Sequence, residues 1–343
     1  MSKKLRWAIV GCGVISTTHD KAIQAAPSAE LVATCDIIPE RAQKLAEEYG
    51  ASYWCEDYTE LVKRDDIDVV SVCTPSGLHL EVAEAAAKAK KHVFTEKPLE
   101  ITKPKIDRMI QVCHEEGVKL GCVFQMRTYA NNKAVRQVVQ EGKLGKMVLA
   151  DAYMKYYRSP EYYKSADWRG TWELDGGGAL MNQGVHGIDL LLWMAGDVES
   201  VVAQTDHLVR DIEVEDTAVA ILKFKNGAFG VIEGTTSVNP GQGARFELHG
   251  NDGTVILRDG KIAAWHVPDV PQPGTEEESG SGRAHSDPTA ITATGHIFLV
   301  EDMCQAIFQD RDPYITGESA RKAVDLILAI YESSRTGKRV YLD

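Results

Sequence analysis

The first third of the chain alternates short apolar runs with amphipathic stretches, and this alternation restricts the possible folds more than any other feature. Strands are predicted at Leu5–Val10, Leu31–Cys35, Val69–Thr74, His92–Thr95 and Lys119–Val123. Helices are predicted between strands at Pro39–Tyr49, Gly77–Lys90 and Lys103–Glu116. Strands joined by single helices are typical of βαβ units, so we predict a doubly wound α/β domain with a parallel sheet at residues 1–123.

After residue 123 the pattern changes to longer stretches in which apolar and polar residues alternate. These stretches predict strands at Met147–Tyr157, Val198–Val209, Thr217–Phe224, Phe229–Ser237, Ala244–His249, Thr254–Leu257 and Lys261–Val267. Turn dipeptides such as Asn226-Gly227 separate several of them, which is typical of antiparallel hairpins. We therefore predict a second α/β domain at residues 124–343, with a large open, mainly antiparallel sheet. One face should pack on helices and the other is free for a partner subunit.

Helices and one long loop complete the second region. Asn131–Gln140 is predicted as a helix before the first long strand, and Gly295–Phe308 and Ser319–Ser334 as helices that close the chain. Residues 268–290 are rich in Pro, Gly, Ser and Glu, which predicts a long loop of the kind that can act as a mobile lid.

The composition excludes several classes of partner. The formal net charge is −12, and an acidic surface repels nucleic acid and anionic membranes, so we expect neither as a partner. The seven cysteines form no Cys-x-x-Cys pair, and no disulfide framework or metal-ligand spacing is visible, so no metal is expected. The N-terminus lacks a signal-peptide pattern, and no segment reaches the roughly 20 apolar residues of a membrane span. A cytoplasmic protein is the expectation.

A glycine-rich turn follows the first predicted strand. In the run Val10–Ser16, Gly11 permits a tight turn and Gly13 lets the backbone approach a pyrophosphate, which the N-terminus of the next helix would face. Ser16 stands where the dinucleotide fingerprint usually has a third glycine, and it is small enough for helix–strand packing. Together with Gly11 and Gly13, Val14 and Ile15 are predicted cofactor contacts, and the first domain is predicted to be of the Rossmann type.

Residues at the ends of two further strands are also predicted to contact the cofactor. Asp36 follows the second strand, where a carboxylate would hold the adenosine ribose and repel a 2′-phosphate, so NAD is favoured over NADP. The alternative for Asp36 is a turn residue at the strand end. Thr74 and Pro75 end the third predicted strand, and His79 is expected either to contact the nicotinamide ribose or to fix a loop.

Thr95-Glu96-Lys97-Pro98 ends the next strand at the same edge of the sheet. A lysine in this position is well placed to reach the reactive ring of a cofactor, and burial readily changes its pKa. Glu96 is predicted either to be a partner of Lys97 or to point away from it. Read without its context, this tetrapeptide is more typical of a surface turn.

Three consecutive glycines, Gly176–Gly178, lead into an apolar segment that carries Asn182 and His186. Glycines here let the backbone approach a ligand or another backbone closely. Asn182 and His186 are four residues apart and share a face if the segment is helical. His186 is the best candidate general acid or base, because the unperturbed pKa of histidine, about 6.5, lies near the working pH.

Taken together, Gly11–Gly13, Glu96–Pro98, the segment Gly176–Asp189 and Gly317–Ala323 resemble the Gfo/Idh/MocA oxidoreductase family. The resemblance covers nearly the whole chain. It implies a Rossmann domain followed by an α/β domain whose open sheet commonly mediates association, so a homodimer or homotetramer is expected. It also implies oxidation or reduction of a secondary alcohol of a sugar, cyclitol or sugar nucleotide, so the expected partner is a small carbohydrate.

The family pattern also implies roles for individual residues. Lys97 and His186 match the catalytic pair of the family. During oxidation His186 would accept the hydroxyl proton while Lys97 binds the same oxygen. Many members have aspartate at the position of Asn182, and asparagine can orient a hydroxyl but cannot titrate. Asparagine occurs in members that resemble sugar-nucleotide 3-dehydrogenases and glycoside-oxidising enzymes, which favours chemistry at carbon 3.

Aromatic and polar residues around these motifs are candidate substrate contacts, because such side chains suit sugar rings, hydroxyls and phosphates. Besides Asn182 and His186 they are Gln125, Arg127, Tyr156, Trp168, Arg169 and Trp172, with His296 as a further candidate. The alternative for each is that it packs a domain interface.

Two other functional interpretations stay open. A ligand-sensing protein that keeps the fold without turnover would usually have lost Lys97 or His186, and both are present. An enzyme that uses tightly bound NAD in a redox-neutral cycle, such as glycoside hydrolysis through a 3-keto intermediate, is not distinguished by the sequence.

Overall fold

The computed structural model describes residues 3–274 and 293–342. These residues form two compact units: residues 3–125 with 293–321, and residues 126–274 with 322–342. This division differs from the single boundary predicted between residues 123 and 124. The difference arises because the helix Thr294–Phe308 packs against Ser16–Ala25, the first helix of the chain, and so returns to the first unit.

The first unit contains a six-stranded parallel sheet, with the strand order β3-β2-β1-β4-β5-β6. The strands are β1 (Leu5–Val10), β2 (Ala29–Cys35), β3 (Tyr53–Cys55), β4 (Val69–Val72), β5 (His92–Thr95) and β6 (Leu120–Cys122). The helices are α1 (Ser16–Ala25), α2 (Pro39–Tyr49), α3 (Tyr58–Leu61), α4 (His79–Lys88), α5 (Lys103–Glu116) and α9 (Thr294–Phe308). The predicted doubly wound Rossmann fold is confirmed.

The central strands of this sheet are buried because they are almost continuously apolar. In β1 the side chains of Trp7, Ala8 and Ile9 are fully buried, and Trp7 packs edge-on against Phe94 of β5. Helices on both faces exclude water from such strands, as expected for a parallel sheet. All the strands point the same way, so the residues that follow β1, β2, β4 and β5 lie along one edge of the sheet.

The second unit contains an eight-stranded sheet, with the strand order β13-β12-β11-β7-β10-β9-β8-β14. Its strands are β7 (Met147–Lys155), β8 (Val198–Asp206), β9 (Thr217–Phe224), β10 (Phe229–Thr235), β11 (Ala244–Gly250), β12 (Thr254–Arg258), β13 (Lys261–His266) and β14 (Val340–Tyr341). Its helices are α6 (Ala130–Gln140), α7 (Pro160–Lys164), α8 (Val185–Ala195) and α10 (Gly317–Thr336), which begins in the first unit. Neighbouring strands are antiparallel except β7 and β10, which confirms a mainly antiparallel sheet.

One predicted strand is shorter than expected, and one predicted loop lies largely outside the described residues. The strand predicted at Val198–Val209 ends at Asp206, because the carboxylate of Asp216 accepts the backbone N–H groups of residues 208–210 and forms a turn there. The loop predicted at 268–290 has only residues 268–274 among those described, and they contain neither helix nor strand.

Among the described helices, none combines the length and apolar character that a membrane crossing requires. All seven cysteines lie within the described ranges, and none of them forms a disulfide.

Candidate active site

The glycine-rich turn after β1 has the geometry of a phosphate-binding loop. Gly11 has φ +94°, and a Cβ atom there would lie 2.6 Å from the backbone of Cys73, so only glycine fits. Gly13 is exposed, and a Cβ on it would meet no described atom within 4 Å. Ser16 Oγ donates a hydrogen bond to the Gly13 carbonyl at 2.6 Å and fixes the turn. The residue before α1 is Ile15, whose side chain cannot cap the helix, so the first N–H groups stay available for an anion.

Asp36 links the end of β2 to this turn. Its carboxylate is buried and accepts the Cys12 N–H at 2.7 Å through Oδ2 and the Ile38 N–H at 2.8 Å through Oδ1. Each carboxylate oxygen can accept a second hydrogen bond, so a ribose hydroxyl remains a possible partner. The neighbouring Ile37 and the turn residue Val14 are both largely exposed on the first unit, with 85% and 64% of their surface accessible.

His79 is held by main-chain carbonyls. Its Nδ1 lies 2.9 Å from the Pro98 oxygen and its Nε2 lies 3.1 Å from the Thr74 oxygen, and the ring is buried. This geometry favours the alternative that His79 fixes the loops after β4 and β5 over contact with a ribose. Thr74 and Pro75 lie beside it, half-buried, at the end of β4.

Glu96 and Lys97 directly follow β5, and the glutamate does not point away. Glu96 is buried; its Oε2 accepts the backbone N–H of Lys97 at 3.0 Å. Its Oε1 lies 2.8 Å from Nε2 of His19 and 3.4 Å from Nε2 of His296. Lys97 is half-buried. His296, considered above as a substrate contact, is therefore part of a buried cluster inside the first unit.

Burial and contacts among Glu96, His19 and His296 shift the pKa values of all three side chains. Burial opposes ionisation of Glu96, but the hydrogen bonds from His19 and His296 outweigh it and hold the pKa of the carboxyl well below its usual range. Burial also opposes the charge on His19, but Cys73 and Glu96 raise the pKa of its imidazole to about 10. Burial lowers the pKa of His296. The directions of these shifts favour a carboxylate on Glu96 and place the positive charge on His19 rather than on His296.

In the second unit a buried glutamate holds the glycine run. Glu215 accepts the N–H groups of Gly178 and Leu180, at 3.0 and 2.8 Å, and the hydroxyl of Tyr331 at 2.9 Å. A Cβ on Gly178 would collide with the Glu215 carbonyl, so glycine is required there. Burial raises the pKa of Glu215 to about 7, although these three hydrogen bonds oppose the shift.

Asn182 and His186 follow this run on consecutive helical segments. Asn182 lies on a π-helical turn, Ala179–Gly184, and His186 on the first turn of α8; both are half-buried. The amide Nδ2 of Asn182 donates a short hydrogen bond to Asp175, whose other oxygen accepts the Gly170 N–H at 2.9 Å. A carboxylate is thus present next to Asn182, although residue 182 itself cannot titrate.

The candidate substrate residues fall into two groups. Arg127 is buried in an ion pair with Asp189, with Nε 2.8 Å from Oδ2, which favours packing over substrate contact. Gln125 is also buried. The others are only partly covered: Tyr156, Trp168 and Arg169 are half-buried, and Trp172 is exposed.

Three polar residues beside Asn182 were missed by the sequence analysis. Arg158 is buried and donates from Nε to Gln183 at 3.0 Å, and Gln183 donates to the Tyr162 hydroxyl at 2.7 Å. Burial lowers the pKa of Arg158. Gln183 directly follows Asn182. Its position just after the glycine run was the one sequence signal that could have identified it as a site residue.

Among the described residues, two groups bring possible metal ligands together, although no spacing in the sequence indicated them. They are His19, Glu96 and His296 in the first unit, and Asp151, Glu247 and His249 in the second; within each group the ligand atoms lie within 4.8 Å of one another. Glu96 already contacts both histidines of the first group, and Glu247 already contacts His249 in the second. The expectation of no metal stays a prediction.

Family models match both regions of the chain. Residues 5–124 match an oxidoreductase family with an NAD-binding Rossmann fold. Residues 132–256 match the GFO/IDH/MocA C-terminal domain.

Individual relatives extend this result. The chain is 31% identical to myo-inositol 2-dehydrogenase of Thermotoga maritima, over 74% of this chain and 75% of the relative. It is 27% identical to dTDP-3,4-didehydro-2,6-dideoxy-alpha-D-glucose 3-reductase of Actinomadura kijaniata, over 98% and 96%. The crystal structure of the WlbA dehydrogenase from Bordetella pertussis, in complex with NADH and UDP-GlcNAcA, superimposes with a TM-score of 0.89 at 34% identity, covering 99% of both chains.

Proposed function

The chain belongs to the Gfo/Idh/MocA family of NAD(P)-dependent oxidoreductases, and from this premise we propose that it transfers a hydride between NAD and a secondary alcohol of a carbohydrate. The substrate class comprises sugars, cyclitols, glycosides and sugar nucleotides. One observation carries the proposal: Gly11–Gly13, Asp36, Thr74 and Lys97 all follow strands at one edge of the parallel sheet. Ligands of such sheets bind outside the carboxyl ends of the strands.

The first unit fits a dinucleotide. The backbone at Gly13 is open to approach, and the N–H groups at the start of α1 would hold the pyrophosphate. Asp36 would accept the adenosine ribose hydroxyls, and its negative charge disfavours a 2′-phosphate. The next residues, Ile37 and Ile38, offer no positive charge, so we favour NAD over NADP.

We assign the chemistry to Lys97 and His186. When bound, NAD would supply the hydride acceptor for the carbinol carbon of the substrate. His186 accepts the hydroxyl proton, and Lys97 donates a hydrogen bond to the same oxygen and stabilises its developing negative charge. Asn182, oriented by Asp175, binds a substrate hydroxyl without taking its proton.

We favour carbon 3 of a sugar or sugar nucleotide as the position of reaction. The Actinomadura relative is a sugar-nucleotide 3-reductase, and the Bordetella structure contains a UDP-sugar. Tyr156, Trp168, Arg169 and Trp172 are the side chains we assign to the sugar and its substituents, because aromatic faces suit sugar rings and arginine suits phosphates.

Absorbance of NADH tests the proposal most simply. NAD or NADP is offered with a panel of inositols, free sugars, glycosides and UDP-sugars. We expect one class to reduce NAD, with little or no reaction with NADP. If no member reacts while NAD still binds, a sensor without turnover replaces the proposal. If NAD copurifies and a glycoside is cleaved without added cofactor, the redox-neutral cycle replaces it.

We also propose that the open face of the second sheet associates with a second copy of the chain, as a homodimer or homotetramer. Apolar side chains are exposed on four neighbouring strands of this face: Val202, Val219, Ile221, Phe229 and Leu149. In this sheet Ile221 lies opposite Val202 and Val231, so the patch is continuous. Ile221→Lys should reduce the mass measured by light scattering, whereas Leu208→Lys, in an exposed turn, should not. An unchanged mass for Ile221→Lys would exclude this face.

Nothing in the composition favours a nucleic-acid or membrane partner, and the net charge of −12 disfavours both. Seven cysteines without a disulfide suit a reducing compartment, so we propose a cytoplasmic protein.

A further inference from the structure

The proposed mechanism uses Lys97 but leaves the buried cluster behind it unexplained. His19 and His296 are 0% and 1% exposed, and both rings lie against Glu96. His19 comes from α1 and His296 from α9, so two helices contribute imidazoles to one carboxylate at the end of β5. All these residues belong to the first unit.

Stability alone does not account for this cluster. Removing a carboxylate and an imidazolium from water costs several kcal/mol per ion, and apolar side chains of similar volume usually pack as well or better. Part of the surroundings is apolar: Phe94 packs edge-on against the His19 ring. If these three residues only filled space, apolar side chains would be expected in their place.

The position of the cluster indicates what it does. Glu96 Oε1 faces the two imidazoles, which leaves Oε2 to accept the N–H of Lys97 at 3.0 Å. His19 is itself fixed by Ser71 of β4, whose hydroxyl lies 2.6 Å from Nδ1. The backbone of Lys97 is thus tied through Glu96 and His19 to the central sheet.

The same network reaches the predicted cofactor loop. His19 lies one helical turn after Ser16, and Ser16 fixes the Gly13 carbonyl. The helix that would face the pyrophosphate therefore also holds the carboxylate next to Lys97. Catalysis requires the reacting groups to be aligned closely, and a misplacement of about 1 Å can cost 100-fold in rate.

We propose that Glu96, held between His19 and His296, is a positioning residue. It fixes the backbone of Lys97 relative to α1, the helix predicted to face the cofactor pyrophosphate. This inference rests on the proposed function and assigns a further residue set to the same site. Glu96 acts through geometry: its Oε2 fixes the Lys97 backbone while its Oε1 is held by the two imidazoles.

The chain offers a matched control in the same loop. Glu100 is also fully buried, and it too accepts the N–H of the residue that follows it, Ile101, at 2.9 Å. Its second oxygen accepts the Leu80 N–H at 3.0 Å. Glu100 therefore shares the burial and the backbone contact of Glu96, but both of these partners are backbone groups and it does not precede Lys97.

The test compares Glu96→Gln with Glu100→Gln in the full chain. Glutamine has one acceptor oxygen, so it cannot serve both His19 and the Lys97 N–H, and it has no charge. We expect Glu96→Gln to lower kcat by about 10- to 100-fold with the Kd for NAD changed less than about twofold. Glu100→Gln should leave kcat within about twofold. Equal losses of kcat in the two variants would overturn the proposal.

A second readout does not depend on turnover. Trace acetylation with acetic anhydride, followed by mass spectrometry, reports the acetylation rate of Lys97 relative to the other lysines at one pH. Loss of the Glu96 contact should change that relative rate in Glu96→Gln but not in Glu100→Gln, because the lysine is no longer held in place. If no substrate is found, a changed rate still supports the positioning role while the proposed function fails. An unchanged rate overturns the role even in an active enzyme.

A third variant keeps the proposal testable if Glu96→Gln fails to fold. His296→Gln removes the longer of the two imidazole contacts and keeps the ion pair of His19 with Glu96. We expect a smaller fall in kcat than in Glu96→Gln, with a normal unfolding midpoint. Full wild-type kcat together with a wild-type acetylation rate of Lys97 in this variant would exclude His296 from the positioning role.

Discussion

Glu96 in the first unit and Glu215 in the second are both buried glutamates that hold the segment bearing a predicted catalytic residue, yet their charges are balanced differently. Glu96 contacts two imidazoles, one of them cationic, whereas Glu215 contacts two backbone N–H groups and a phenol. Their pKa values accordingly move in opposite directions. Burial acts the same way on both, so the charge of the partner decides the direction.

The opposite pKa shifts of Glu96 and Glu215 correspond to two ways in which a buried glutamate can hold a segment of a site. Glu96 keeps its negative charge throughout the neutral range, which suits a carboxylate that pairs with His19 and accepts the Lys97 N–H. Glu215, with a pKa raised to about 7, gains or loses its proton in that same range while it anchors the glycine run before Asn182 and His186. Burial and Glu215 raise the pKa of Tyr331, so the phenol remains a donor.

The largest expected effect comes from removing the side chains that these two glutamates support. Lys97→Ala and His186→Ala should each lower turnover by about 10²- to 10⁴-fold, the usual contribution of a positioned acid or base. The glycine-rich turn is unaltered in both variants, so NAD should still bind. Isothermal titration with NAD beside steady-state rates makes the distinction. Loss of NAD binding in both variants would mean that the two residues are structural.

A smaller effect should appear in stability at Glu215. The folded pKa of about 7 lies above the ordinary value of 4.5, so the protonated carboxyl is favoured by folding and that contribution is lost as pH rises from about 4.5 through 7. At 1.36 kcal/mol per pKa unit the loss is about 3 kcal/mol. The glutamine in Glu215→Gln does not titrate, so this variant does not lose the contribution. Its unfolding free energy relative to that of wild type should therefore rise by about 3 kcal/mol between pH 4.5 and pH 8.

Urea unfolding at those two pH values measures the change. The difference in unfolding free energy between Glu215→Gln and wild type should depend on pH. A difference that stays constant for Glu215→Gln would mean that Glu215 is ionised like an ordinary glutamate, and the contrast with Glu96 would disappear.

Local signals predicted the first unit well. The helix Pro39–Tyr49 has the predicted bounds, because proline stands at its first turn and Gly50 adopts the left-handed conformation that ends it. The edge strand Tyr53–Cys55 was missed, since three residues carry too little periodicity. The π-helical turn Ala179–Gly184 was also not predicted, because it depends on Glu215, which binds the backbone at Gly178 and Leu180 from a distant part of the chain.

The contacts that support the site could not be read from spacing. His19 and His296 are 77 and 200 residues from Glu96, so only the folded sheet and its helices bring them together. The pairing of Arg127 with Asp189 is similarly distant, and it altered the interpretation of that arginine. Asp175 is only seven residues from Asn182, but a contact across a glycine run has no fixed period.

The most direct test of the proposed function follows one hydrogen atom. The member of the sugar panel that reduces NAD fastest is prepared with deuterium on the carbon that is oxidised, and the products are examined by NMR. Hydride transfer predicts that the deuterium appears at C4 of the nicotinamide in NADH, with a slower rate than for the unlabelled substrate. Deuterium released into water, or retained in the sugar without formation of NADH, would contradict the assignment of this chain as an NAD-dependent carbohydrate oxidoreductase.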